Sequence, residues 1–486
     1  MRAAVAFLLY LVPAVTAEVH QVPVSANWYP AEPEGLRQAL DRAFARRQSA
    51  QPQRKKLLAL VAPHAALSYS GSVAASAYQR LDHPDNIILL GFSHRRANGG
   101  IVAPDVDAYT TPLGRINVNR RAIAEMGIRT LPEGRICDHS IENQLPFVQR
   151  AAPGAAVIPL FVGRLSEDEL EAAGRKLAAR LAQGDVLVAS TDLTHYGANY
   201  GYEPFPNDSE LPERLRTRAT EIMERVGSLE VASLDRYLAD TRENVCGWAA
   251  LRLLMTTLRN WNEAVYPVQV DYLASGALTR DYSVSVGYGA MAFYPASAFT
   301  IGPEDRQKLL GSARRTLDEY LATGKKRPRP VPGPERSTAV EQRSGVFVTI
   351  RKNGRMRGCI GTLVPARPLW DGVADRTLAA ATDSRFPPLT AAEEPLSVEV
   401  SVLTPLKRLA DWRQFRLGQG GLIVLEGRSG TILPQIAEEQ RWTRPEQFLS
   451  NLSVKAGLDA RAYRDPRAVL YVYEAQVFSE GAANGN

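Results

Sequence analysis

"LLALVAPHAALSYSGSVAASAYQRLDHPDNIILLGFSH", Leu57 to His94, holds two unbroken apolar runs separated by an Ala- and Ser-rich stretch long enough for a helix. Runs without polar alternation predict strands covered on both faces, the usual state of a parallel sheet. The pattern recurs in "AAVIPLFV" (155–162), the amphipathic "EDELEAAGRKLAARLA" (167–182) and "DVLVAS" (185–190). Strand, helix and strand in alternation predict an α/β domain with a mainly parallel sheet covered by helices. "VYPVQVDYLAS" and "DYSVSVGYGAMAFY" read as its last strands.

A break near Pro295 to Pro303 closes this domain, and the helical "EDRQKLLGSARRTLDEYLATG" opens another. Beyond it, "GVFVTIRKNGRMRGCIGTL", "LSVEVSVLTP" and "GLIVLEGRSGTILP" read as strands, with Asn353-Gly354 and Arg428-Ser429-Gly430 as hairpin-type turns. This half reads as α+β with a mainly antiparallel sheet. The predicted organisation is a leader at 1–17, a first domain at 18–296, a linker at 297–302 and a second domain at 303–482.

The chain has 486 residues, and at roughly 150 per domain it is too long for one core. With 45% hydrophobic and 23% charged residues it has the apolar surface to fold. The net charge of +6 is spread among interleaved acids and bases, so it does not favour a nucleic-acid partner. The densest basic run, Lys325 to Arg329, sits among prolines and reads as a solvated loop. "MRAAVAFLLYLVPAVTA" has the make-up of a secretory signal cleaved before Glu18, which predicts a periplasmic or secreted protein; an uncleaved segment would leave it cytoplasmic. No segment is apolar for long enough to span a bilayer. Three cysteines, at 137, 246 and 359, are too few and too scattered for a disulfide framework and read as buried thiols or ligands.

Three of the six histidines share one context. His64, His94 and His195 each lie just beyond the carboxyl end of a predicted parallel strand, where open α/β sheets bind their ligands. Imidazoles converging on that edge suit a metal site, acid/base catalysis or both. His139, in "CDHSIENQLPF", lies at the start of a predicted helix, whose dipole lowers its proton affinity; Asp138 or Ser140 would cap that helix. His20 and His83 sit among polar residues and are assigned no role.

The ordered series "APHAALSYSGSVAASAY", "GFSH", "TPLG", "DHSIENQLPF", "STDLTHYG" and "NVCGWAALRLL" resembles the successive motifs of the Memo family over about residues 19–294. The fold of that family resembles the class III extradiol ring-cleaving dioxygenases. The resemblance implies that one divalent or copper ion (Fe, Cu or Zn) is held by His64, His94 and Cys246, leaving a position for water, oxygen or substrate. Asp192, His195, His139 and Glu142 then become candidates for supporting or acid/base roles. Two departures stand out. Ala66-Leu67 replaces a Gly-Tyr, which requires ordinary backbone angles and removes an aromatic wall, and Trp248 stands where a basic residue is usual.

"RGCIGTL", "DSRFPPLT", "VEVSVLTP", "GTILPQIAEEQRW" and "FLSNLSVKAGL" resemble the AMMECR family over about residues 303–480. The glycines around Cys359 would let backbone approach a ligand, and Arg351, Arg355 and Arg357, alternating on a strand, could bind an anion or lower the thiol pKa. A small buried hydrophobe is the plainer reading of Cys359. Both families occur in a gene set with a radical SAM protein, which implies a shared process and such a partner. A metalloenzyme acting on a small molecule or peptide by an oxygen-dependent or hydrolytic step is expected, with a non-catalytic copper, iron or peptide binder as the alternative. A thiolate where ring-cleaving iron sites carry a carboxylate speaks against catechol cleavage.

Overall fold

The computed structural model describes residues 18–23, 27–46, 55–95, 99–324, 337–393 and 395–480. The expected leader and the basic run at 325–329 lie outside them. Among the described residues no helix is long and apolar enough to cross a membrane.

The first domain is built on a nine-stranded sheet. Its middle strands, in the order Ala59–Ala62, Val186–Ser190, Asn86–Gly91 and Ala156–Val162, are parallel. Further out, Ser285–Pro295 pairs antiparallel with Ala59–Ala62 and with Val265–Ala274, and Ile101–Pro104 runs antiparallel to Ala156–Val162. The sheet is therefore mixed rather than mainly parallel. Continuous apolar burial reports two covered faces and not strand direction: all eleven residues of Ser285–Pro295 are buried in an antiparallel setting. Helix Leu67–Tyr78 packs on Ala59–Ala62 and Ser285–Pro295, and helix Trp248–Arg259 packs on Val186–Ser190. Ile87, Ile88, Leu89 and Leu90 are all fully buried, each contributing about 1.5–3 kcal/mol of hydrophobic free energy.

Parallel middle strands end on one edge. Ala59–Ala62 stops at Pro63, which has no N–H to extend the ladder. Asn86–Gly91 and Val186–Ser190 end three and five residues before His94 and His195.

The second domain has two lobes. Arg355–Thr362, Val346–Lys352, Leu396–Leu403 and Ala475–Ser479 form one antiparallel sheet, and Lys407–Arg408, Val469–Tyr473, Gly420–Leu425 and Arg428–Ile432 the other. Phe299 belongs to the first domain's core and Ile301 to the second's. Glu224 of the first domain accepts hydrogen bonds from Arg408 at 3.1 Å and the Tyr471 hydroxyl at 2.7 Å.

Asn353 and Gly354 both have positive φ, 49° and 75°, the signature of a tight hairpin turn. Arg351 and Arg357 thus lie on opposite arms of a hairpin, not along a single strand. The other expected turn is displaced: Glu426 and Gly427 make it, with φ of 51° and 73°, while Arg428–Ile432 is strand. Gly430 serves packing, since a Cβ there would meet the backbone of Ala456.

Candidate metal centre

His64 is fixed by its backbone before its ring is considered. Its N–H donates to Asp192 Oδ1 at 2.9 Å, its carbonyl accepts from Asn143 Nδ2 at 2.8 Å, and the preceding Pro63 carbonyl accepts from Gln144 Nε2 at 2.9 Å. The ring is positioned by Ser190, the last residue of its strand. Ser190 Oγ donates to the Ser140 carbonyl and accepts from Gln144 Nε2, so at 2.9 Å from His64 Nδ1 it can only accept again. The proton therefore sits on Nδ1, leaving a lone pair on Nε2.

That lone pair meets a sulfur. Cys246 Sγ lies 3.4 Å from His64 Nε2. Bond lengths of about 2.3 Å to sulfur and 2.05 Å to nitrogen around a tetrahedral ion put the two donors about 3.5 Å apart. Donor atoms of His64, His94 and Cys246 all lie within 4.8 Å of one another. Gly247 makes the approach possible, because a Cβ there would run into Thr191 and the Ser190 carbonyl. The Asp192 N–H donates to Cys246 Sγ at 3.2 Å.

His94 repeats the logic with a carboxylate. Its Nδ1 lies 2.8 Å from Asp138 Oδ1, its backbone N–H donates to Asp138 Oδ2 at 3.1 Å, and Asp138 also caps the turn starting at His139 by accepting from the Ser140 N–H. The outer nitrogen of each imidazole is thus held, which sets the tautomer of a metal ligand and raises its basicity. Burial opposes charge on Asp138, but the bonds from His94 and Ser140 outweigh it and hold the carboxyl down at about 2. Replacing Asp138 with alanine is expected to weaken metal binding 10–100-fold in a competition titration, with the metal still bound at saturation.

Burial and the neighbouring His94 hold the His64 ring at about 3, so it is neutral and ready to donate at ordinary pH. Burial, and after it the charge of Asp192, pushes the Cys246 thiol up; a cation must displace its proton. The donor set of two neutral imidazoles and one thiolate fits a single Zn, Fe or Cu ion.

His139 stacks between His94 at 4.1 Å and Trp28 at 4.3 Å. Its proton affinity is lowered to about 4, as expected in direction, but burial is the leading cause. The Leu67 N–H donates to the Trp28 carbonyl at 2.8 Å, and Ala66 has ordinary angles, φ −53° and ψ 145°. Burial pushes the Asp192 carboxyl up to about 6, against the pull of nearby His195. His195 Nδ1 is buried with no hydrogen-bond partner among the described residues, and its ring meets Tyr200 edge-on at 5.1 Å. Trp248 donates to Asp235 and lies under the Arg252 guanidinium.

Glu142 points elsewhere. Its carboxylate lies 2.9 Å from Nε2 of His20, and Glu133 lies 2.7 Å from the other ring nitrogen. His20, which the sequence left without a role, is in a short strand and only 8% exposed. Ser190 was also overlooked, although a serine ending an otherwise apolar, fully buried strand is itself a signal.

In the second domain the glycines beside Cys359 serve packing. A Cβ on Gly358 would strike the Ala380 carbonyl, and one on Gly361 the Phe347 ring. Arg357 is engaged by Glu393 through two bonds, at 2.7 and 2.9 Å, and its charge is already answered. The arginine at Cys359 is Arg385, which donates to its carbonyl at 2.8 Å, while Thr349 Oγ1 donates to the sulfur at 3.3 Å.

A family model described as Memo-like protein matches residues 21–292, and one described as AMMECR1 matches residues 310–478. A protein of Methanothermobacter thermautotrophicus is 40% identical over 186 residues, covering 36% of this chain and 95% of that protein. A MEMO1 family protein of Thermococcus kodakarensis is 30% identical over 286 residues, covering 56% of this chain and 97% of its own length. The crystal structure of an uncharacterized protein from Pyrococcus horikoshii matches at 34% identity and a TM-score of 0.35, covering 37% of this chain and 94% of that one.

Proposed function

From a chain that belongs to the Memo-like protein family and carries an AMMECR1 domain behind it, we propose a mononuclear metalloenzyme whose ion is held by His64, His94 and Cys246. The observation that carries this reading is the 3.4 Å approach of Cys246 Sγ to a His64 Nε2 whose lone pair is freed by Ser190. The ion supplies Lewis acidity or one-electron chemistry for an oxygen-dependent or hydrolytic step on a small molecule or peptide.

The chain's own residues do the rest. Asp192, bonded to the His64 N–H and beside Cys246, is the side chain placed to hold or pass a proton next to the ion. His195, close enough to Asp192 to pull on its carboxyl, is the second side chain set beside the substrate. His139, kept neutral between Trp28 and His94, presents an uncharged surface. The likeness to class III extradiol dioxygenases, presentation or modification of the substrate by the second domain at Cys359, cooperation with a radical SAM partner, and export through the leader at 1–17 belong to the same proposal.

The test loads the full chain separately with Fe(II), Cu and Zn(II), then follows oxygen uptake and product formation across phenols, amines and peptides. Turnover with one metal, lost in His195→Gln and Asp192→Asn variants that still bind it, is the expected result. One bound ion per chain without turnover on any of them would make the protein a metal binder instead.

A further inference from the structure

We propose that His20, Cys137 and Glu142 form a second metal site, separate from the first and suited to a divalent ion of the zinc class. Their donor atoms lie within 4.8 Å of one another, and the three are brought together from a short strand and a turn more than a hundred residues further on. The set of one imidazole, one thiolate and one carboxylate is a recognised zinc combination.

The surroundings are those of a ligand cluster. Glu133 Oε2, 2.7 Å from His20 Nδ1, is the carboxylate that orients a metal-bound imidazole and leaves Nε2 as the donor. Tyr109 stands against the His20 ring edge-on at 5.3 Å, with its hydroxyl 3.7 Å from Cys137 Sγ. Tyr29, only 5% exposed and close enough to Glu142 to feel its charge, has a buried hydroxyl with no hydrogen-bond partner among the described residues.

An ion entering here meets carboxylates already in place: Glu133 and Glu142 flank the His20 ring at 2.7 and 2.9 Å, so a buried cation is paired rather than isolated.

The two clusters meet along one peptide. Asp138 holds His94 at the first centre, while its neighbour Cys137 belongs to the second. Occupancy of one is read separately from the other by cobalt substitution, because each has its own single thiolate.

The full chain titrated with Co(II) is expected to bind two ions. Cys246→Ser and Cys137→Ser should each bind one and keep a sulfur-to-cobalt charge-transfer band, and the double variant should lose the band. In the Cys246→Ser background, Zn(II) should protect Cys137 from iodoacetamide by at least tenfold, read peptide by peptide so that Cys359 does not interfere. Thermal unfolding of Cys137→Ser checks that it folds. Loss of the cobalt band in Cys246→Ser, or alkylation of Cys137 unchanged by Zn(II), overturns the second site. One ion that survives Cys246→Ser but not Cys137→Ser would uphold it while removing the first.

Discussion

Cys246→Ser is expected to lower metal affinity at the first centre by roughly 10³-fold or more, beyond the 10–100-fold that loss of a supporting partner causes. A serine hydroxyl at that position does not ionise and cannot replace the thiolate, and the two neutral imidazoles alone leave the ion half coordinated. The pH dependence provides a second readout. Because burial raises the thiol pKa, each ion that binds must expel the Cys246 proton, and affinity should rise at least tenfold per pH unit between about pH 6 and 8. His64, already neutral above about 3, adds nothing to that slope. Competition with a chromophoric chelator at several pH values measures both effects. A variant that binds as tightly as the parent, or a parent whose affinity is flat with pH, would remove Cys246 from the ligand set.

Gly358→Ala is the second large effect, and it is one of stability. The added methyl has no room: the Ala380 carbonyl of the helix Leu369–Ala381 occupies its place, and a helix backbone cannot rotate aside as a side chain can. Overpacking against backbone is expected to cost about 3 kcal/mol, or roughly 6–12 °C in the melting of a domain of this size. The loss should fall on the second domain, whose core is separate, and metal binding by the first should not change. Calorimetry of the full chain with and without metal decides the matter; an unshifted transition would mean that the hairpin and helix are less tightly joined than described.

What could be read in advance follows from the kind of signal. The edge bearing His64 and His94 was legible because each ring follows an apolar strand, and strand ends are where periodicity stops. Cys246 follows no strand; only its motif announced it. Strand direction was not legible, since Ser285–Pro295 and Asn86–Gly91 are both buried almost throughout while running in different settings. His20 escaped notice because its partners lie 113 and 122 residues away and three strand residues carry no pattern of their own. Arg357 looked available for an anion because the sequence around "RGCIGTL" does not reveal Glu393, 36 residues on.

The Trp28, His139, His94 stack places an indole one ring away from a first-centre ligand. Its fluorescence then becomes a built-in gauge of which ion has entered. Open-shell copper or iron should quench the emission of this residue, one of six tryptophans, whereas closed-shell zinc should leave its brightness nearly intact. A Trp28→Phe variant should lose that discrimination while still taking up the ion, so the choice of metal could be followed in solution without a label.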